Sequence, residues 1–378
     1  MRVVDTGIVA TGAAGTSSAI YCFPAVVRLA NGDLLASFGR GRQKNDRDSS
    51  CAYCRSRDGG ATWTEPVEPF DGNVDGIQGT LLDLYVTELG PGHLLGVMKW
   101  WDSSDPTRGF SNPQTEGHCE LRVVMSESRD DGETWSTSHA IDHGSYDSPG
   151  STGPVLKLPD GTLASPFETN LPYERSGPWQ QHAVFGYSTD GGKTWPLHAV
   201  SATDTACRIR PWDQRPAVMN DGRIIDLIWT YDSEAGEDLP IHCNVSSPDG
   251  RSWPDKPWDT GVVGQISWPL VLGDRTVAMA YVDRYHTRSI RMCLSRDAGK
   301  TWDAASALVI YEHDIEDVGR GAGETDYLNS QRLWTFGLPT AALLDEHAAI
   351  VLYYAGDTSS TRICWAKVEL DTKQGAKP

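Results

Sequence analysis

Short apolar runs, each broken by a polar turn that contains Gly or Asp, recur from one end of the chain to the other. FPAVVRLANGDLLASF, Phe23 to Phe38, is one such strand–turn–strand unit. LYVTELGPGHLLGVM, GPVLKLPDGTLASPF, RPAVMNDGRIIDLIW, WPLVLGDRTVAMAYV and LPTAALLDEHAAIVLYY are five more. A further strand-like run follows several of them, as in SSCAYCRS, CELRVVMSES, HAVFGYS and IRMCLS. Sustained helical periodicity is missing, so helices are not expected. Strand, turn, strand, strand, boxed turn and a last strand is the wiring of one antiparallel sheet. Six in succession predict an all-β fold, a six-bladed β-propeller of four-stranded antiparallel blades over residues 1–370, with a C-terminal tail at 371–378. The sixth unit lacks its own outer strand. The N-terminal VVDTGIVAT is expected to supply it, because pairing first and last strands hides two edges at once. The stretches Trp101 to Gly117 and Leu171 to Trp179 read as loop insertions.

An octet marks the turn after the third strand. SRDGGATW (Ser56 to Trp63) returns as SRDDGETW from Ser128, STDGGKTW from Ser188 and SRDAGKTW from Ser295, while SSPDGRSW from Ser246 has Pro248 where the Asp should stand. A motif repeated along one chain is scaffold rather than a catalytic centre. Gly suits a turn residue of positive φ, Ser and Asp satisfy turn amides, and Trp packs between neighbouring sheets.

The formal net charge of −18 opposes approach to phosphate backbones and anionic membranes, so neither nucleic acid nor a membrane is expected as a partner. The eight cysteines are scattered. Cys51 and Cys54 have CxxC spacing but no second pair or nearby His to complete a zinc site, and most read as buried thiols. No metal site or cofactor is expected, since no twelve-residue calcium loop or His-rich spacing occurs. MRVVDTGIVATG shows no apolar core or small-residue cleavage site, which points to the cytoplasm unless a leader has been removed.

In a propeller the inner strands converge on one axial funnel, so chemistry is sought at the residues flanking the six units. These include Arg40, Arg42, Asp83, Trp100, Trp101, Glu168, Asp213, Arg215, Trp229, Tyr231 and Asp232. Farther along the chain come Asp283, Arg284, His286, Arg332, Trp334 and Tyr353. Any one of them alone is most simply a rim residue in a surface ion pair. As a convergent set they suit a sugar: aromatic faces stack on C–H surfaces, Arg forks hold carboxylates, and paired acids serve a glycosidic bond. The expected partner is a glycan or oligosaccharide.

The S-x-D-x-G-x-x-W octet is similar to the Asp-box of the sialidase (neuraminidase) superfamily, and the six units resemble its six-bladed propeller over essentially the whole chain. The resemblance implies an Arg-Ile-Pro segment opening the first blade, two further arginines, a Tyr nucleophile with a Glu beside it, and an Asp acid. Here Tyr21-Cys22-Phe23-Pro24 puts Cys22 at the first Arg position, Leu338 falls at the nucleophile and Trp229 at another Arg. Asp213 falls at the partnering Glu, and Asp46 or Asp48 is open for the acid. Cys cannot replace a guanidinium, nor Leu a phenolate. The expected activity is therefore an exo-acting glycoside hydrolase other than a true neuraminidase, loosely similar to exo-arabinanases of the same superfamily. Glu168 is the expected acid/base, with Asp213 or Asp232 as its partner. Arg40, Arg42, Arg215, Arg284 and Arg332 would hold anions, and Trp100, Trp101, Trp229 and Tyr231 would form stacking walls. The alternatives are a polysaccharide lyase at a uronic acid, served by His118, His182, His242 or His286 with Tyr and Arg; a true exo-sialidase; and a non-catalytic glycan-binding propeller.

Overall fold

The computed structural model describes residues 1–115, 117–314 and 333–370. The tail expected at 371–378 and Arg332 lie outside these residues. Among the described residues six antiparallel sheets succeed one another and no helix is long and apolar enough to cross a membrane. The chain opens with β1 (Arg2–Thr11), which belongs to the last blade. Blade 1 is β2 (Ile20–Arg28), β3 (Leu34–Gly41) and β4 (Ser50–Ser56). Blade 2 is β5 (Asn73–Val74), β6 (Ile77–Gly90), β7 (His93–Asp102), β8 (Leu121–Ser128) and β9 (His139–Ala140). Blade 3 is β10 (Pro149–Ser151), β11 (Leu156–Lys157), β12 (Leu163–Thr169), β13 (His182–Ser188) and β14 (Leu197–Thr203). Blade 4 is β15 (Ile209–Val218), β16 (Ile224–Asp232), β17 (Glu237–Asp238), β18 (His242–Val245) and β19 (Trp258–Asp259). Blade 5 is β20 (Ser267–Val271), β21 (Val277–Asp283), β22 (Ser289–Ser295) and β23 (Leu308–Glu312). Blade 6 is β24 (Phe336–Leu343), β25 (Ala348–Gly356) and β26 (Thr361–Glu369), completed by β1.

The N-terminal strand closes the ring as expected: Arg2 pairs with Glu369 and Thr11 with Arg362 across the β1–β26 ladder. Blade 1 departs from the four-stranded plan. Its outer strand is reduced to one bridge between Tyr53 and Val67.

Each octet is a self-contained turn that also grips the preceding blade. In the first, Ser56 Oγ donates to Asp58 Oδ1 (2.8 Å) and accepts from Gly60 N (2.8 Å), while Thr62 donates through both N and Oγ1 to the Asp58 carboxylate. Trp63 Nε1 closes the turn onto Gly60 O (3.1 Å). Gly60 has φ +91, and a Cβ there would stand 2.8 Å from Ile350 of blade 6, so backbone and neighbour both demand glycine. Aromatic residues tie blades at the same turns: Tyr53 donates to Gly132 O and Tyr187 to Gly250 O. The worn fourth copy keeps its turn by shifting one residue, with Ser247 Oγ donating to Asp249 Oδ1 (2.5 Å) in place of the Asp that Pro248 displaces. In blade 1 the octet begins where Ser56 faces Leu34, at the opposite end of the ladder from the Arg40–Ser50 pair. The boxes thus sit away from the funnel mouth.

One interior group has a measurable consequence. Asp226, in β16, is wholly buried, neither of its oxygens has a hydrogen-bond partner within normal geometry among the described residues, and burial, opposed only in part by Ser201 and Arg215, pushes its carboxyl up to about 8. Below about pH 4 both folded and unfolded chains hold this proton. Between about 4 and 8 only the unfolded chain releases it, so stability falls with rising pH by up to about 1.4 kcal/mol per pH unit. Asp226→Asn copies the protonated shape without that slope. The melting temperature of the variant should gain on wild type between pH 5 and pH 8; an equal difference at both pH values would refute the buried-acid assignment.

Candidate active site

Irregularities in four inner strands create the site. The ladders slip between Cys22 and Ala25, Leu81 and Leu84, Trp212 and Arg215, and Gly337 and Thr340. A bulge kinks its strand and re-aims side chains. Here Phe23 (φ 54), Asp213 (φ 46) and Leu338 (φ 47) take left-handed backbone conformations at three of them. Together with Leu82 and Asp83 of the fourth they line an axial pocket of about 120 Å³. Lys99 of β7, Glu168 of β12, Arg215 of β15 and Arg284 after β21 bring its charge, and Trp212, Trp229, Trp334 and Tyr354 its aromatic wall.

The charges form two ion pairs, and among the described residues Arg215 Nε and two nitrogens of Arg284 have no hydrogen-bond partner. Asp213 Oδ1 lies 2.9 Å from Arg215 Nη2, and Arg215 also donates to the Thr152 and Gln214 carbonyls. Glu168 Oε1 lies 3.6 Å from Lys99 Nζ, while Oε2 accepts from Asp213 N at 3.0 Å. Burial raises the Glu168 carboxyl above its ordinary value against the pull of Lys99, and burial raises Asp83 as well. Burial would lower the Lys99 ammonium, but the Glu168, Asp83 and Asp213 carboxylates outweigh it and raise it. Arg284 is 1% exposed and lies 4.4 Å over the Trp334 ring. Neither its Nε nor its Nη1 has a hydrogen-bond partner among the described residues. Its room comes from Gly337, where a Cβ would stand 2.4 Å from Nη2 and where φ is +143.

Two loops wall the mouth. The segment 42–49 sends Lys44 one way, donating to Trp334 O and to Tyr354 Oη (2.8 Å). Three residues on, Arg47 reaches the other way to the Ser103, Asp105 and Arg108 carbonyls. The insertion it grips contributes Phe110, Ser111 and His118 to the pocket and is tied to the second insertion through Asn112 and Thr115, both donating to Tyr173 O. His118 is the one imidazole lining the pocket among the described residues. Burial, then Lys99, pulls it down to about 4, so it is neutral at pH 7. Among the described residues no group of three His, Cys, Asp or Glu is placed to hold a metal ion.

Of the residues singled out in the sequence, Glu168, Asp213, Arg215, Trp229, Arg284 and Trp334 meet in this pocket, as do Asp83 and His118. The others stand elsewhere. Asp232 ends β16 holding Arg208 (2.5 Å) and the amides of Glu234 and Ala235, which draws its carboxyl down to about 2. Asp283 caps its own turn through Thr287 and His286. Asp48 binds Arg42 at the base of the 42–49 loop, and Arg40 binds Glu68. Trp100 is fully buried with Nε1 on Gly72 O, and Trp101 packs edge-on to Phe110. Tyr231 stacks behind Trp212, His182 lies against Tyr146, and Tyr353 packs on Tyr311. Cys22 is buried, while its neighbour Phe23 faces the pocket. Lys44, Lys99, Trp212 and Tyr354 were not anticipated. Lys99 and Tyr354 each adjoin a residue that was, on the opposite face of a strand whose phase the sequence does not fix.

No family model matches the chain. It is 27% identical over 218 residues to a sialidase of Bacteroides fragilis (strain YCH46), a match spanning 53% of this chain and 38% of that protein. A protein of unknown function from Dyadobacter fermentans DSM 18053 superposes with a TM-score of 0.75 at 19% identity, covering 98% of this chain and 99% of that one. The intramolecular trans-sialidase from Ruminococcus gnavus, in complex with oseltamivir carboxylate, superposes at 0.65 and 13% identity over 100% of both chains. A Penicillium chrysogenum α-L-arabinanase complexed with arabinobiose gives 0.64 at 17% identity over 98% and 99%. The chain therefore has a sialidase-like six-bladed β-propeller fold, one shared with carbohydrate-active enzymes.

The loop wall makes a checkable claim. Arg47→Ala removes the charged donor from three carbonyls, and a loss of about 1.4 kcal/mol in local closure corresponds to roughly tenfold more opening. Limited trypsin digestion should cut after Lys44 and Arg108 about tenfold faster than in wild type. Unchanged rates would mean that Arg47 does not hold the two loops together.

Proposed function

We propose that this protein is an exo-acting glycoside hydrolase that takes a terminal acidic sugar into the axial pocket. The observation that carries the reading is Arg284, a buried guanidinium facing the pocket whose Nε and Nη1 find no acceptor among the described residues. A buried cation without hydrogen bonds is costly, and a planar carboxylate from a ligand is the natural group to satisfy it. Glu168 and Asp213 supply the paired carboxyls. Burial holds Glu168 toward its protonated form, as a proton donor to a leaving oxygen requires. Asp213, ion-paired with Arg215, presents negative charge where an anomeric carbon would become cationic. Trp212, Trp229 and Trp334 offer ring faces to the C–H surfaces of a sugar, and the two loops favour a chain end over a continuous polymer.

The pocket also argues against a neuraminidase. Trp229 and Leu338 present apolar surface where the sialidase pattern has an Arg and the Tyr nucleophile, and Cys22, at its first Arg position, is buried. A second reading rests on His118: a neutral imidazole in a pocket with a buried guanidinium is the equipment for abstracting a proton beside a uronate carboxylate, the chemistry of a lyase.

Incubation with a panel of aryl glycosides and uronic-acid polysaccharides separates the two. Reducing sugar without new ultraviolet absorbance supports the hydrolase, an unsaturated uronate chromophore transfers the assignment to the lyase, and binding without turnover leaves a lectin. For the hydrolase, Glu168→Gln should lower kcat by roughly 10²- to 10⁴-fold with the fold retained. Arg284→Met should raise KM for a carboxylated glycoside roughly tenfold to a hundredfold and spare a neutral one. Equal loss on both substrates would remove Arg284 from carboxylate recognition.

A further inference from the structure

We propose that Lys99 is the positioning residue that sets the protonation of Glu168, and that Gly150 opens the path by which it reaches that carboxylate. The inference rests on the reading of Glu168 as the proton donor. It deepens that reading by naming what tunes the donor.

Lys99 leaves β7 of blade 2 while Glu168 stands on β12 of blade 3, so the pair spans a blade junction. Between them runs β10, the inner strand of blade 3, where Gly150 pairs directly with Glu168. A Cβ at Gly150 would stand 2.9 Å from Lys99 Cε and 3.4 Å from Cδ, so the lysine stem fills the space a side chain would need. The backbone of Gly150 is outside the positive-φ region, so what the glycine gives the lysine there is room, not conformation. Past this gap the ammonium stops 3.6 Å from Glu168 Oε1, with both side chains largely buried. The strand itself is pinned from behind, since Lys99 N donates to Asp83 Oδ1 (3.0 Å), which also accepts from Ser151 Oγ (3.2 Å).

The other groups facing Glu168 cannot take this part. Asp83 on β6 and Asp213 on β15 are carboxylates. Arg215 is engaged by Asp213 at 2.9 Å, and Gln181 Nε2 is neutral and 3.4 Å away. The Tyr85 phenol is buried and pushed upward by burial, and His118 is neutral. Lys99 is therefore the cation that directly opposes the burial of Glu168. An opposite charge at this range moves a carboxyl by roughly one to three pH units.

The test is a carbon-13 NMR titration of the full chain labelled at glutamate carboxyl carbons, with the Glu168 signal identified by its loss in Glu168→Gln. Lys99→Met should raise the Glu168 midpoint by about one to three pH units, and Lys99→Arg, which keeps the charge, should hold it near wild type. Gly150→Ala removes no charge yet displaces the ammonium, and should raise the midpoint in the same direction. An unmoved midpoint in Lys99→Met overturns the proposal. So does an unmoved midpoint in Gly150→Ala, which decides alone if Lys99→Met does not fold. Where a glycoside is turned over, the alkaline limb of the rate profile should move with the midpoint. Where none is, the titration still reads the pair, so failure of the proposed activity and failure of this coupling are separate results.

Discussion

The ladder between β1 and β26 is the contact on which the rest of the molecule depends. Every blade presents its inner strand to the axis, and that axis is defined only once the ring is shut. The closing strand comes from the far end of the chain, so the pairing of residues 2–11 with 362–369 is the longest-range ladder in the fold. Ordering such a pair costs loop-closure entropy that only the completed ring repays. The boxes then lock the first five blades to their predecessors through glycines, with aromatic donors at two of those junctions. Pocket residues drawn from all six blades owe their meeting to this arrangement, since no single sheet holds more than a few of them.

Within the ring, three of the inner-strand bulges carry backbone strain at the pocket. A left-handed residue other than glycine costs free energy and persists only where its surroundings over-determine it. Three inner strands carry one at the pocket, and each of them, Phe23, Asp213 and Leu338, points its side chain into the funnel. A regular strand would alternate its residues between the two faces of a blade. The bulge breaks that alternation and turns the side chain toward the axis.

This also explains what could be read from the chain beforehand. The blades were legible because turn chemistry and apolar runs repeat, and the octet announces its own hydrogen bonds. The convergence of Glu168, Asp213, Arg215 and Arg284 followed from strand ends alone. The phase at those ends did not. Lys99 rather than Trp100, and Tyr354 rather than Tyr353, lines the pocket, because a slip of one residue exchanges faces and nothing local records where the slip occurs. The 42–49 loop was opaque for another reason. Its path is set by Arg47 and Lys44 reaching distant backbone carbonyls, and a carbonyl has no sequence signature. Asp232 was misleading in a third way: a carboxylate at a strand end looks the same whether it faces a funnel or fastens a turn.

The hydrogen atom at Gly337 carries a consequence of its own. The Arg284 guanidinium occupies the volume any larger substituent there would claim, so these two positions, more than fifty residues apart in the chain, form a single lock-and-key unit of the pocket floor. Adding one carbon at position 337 would evict the charge without altering the arginine. The charge that the cavity presents is thus governed as much by an empty place as by the group that fills it.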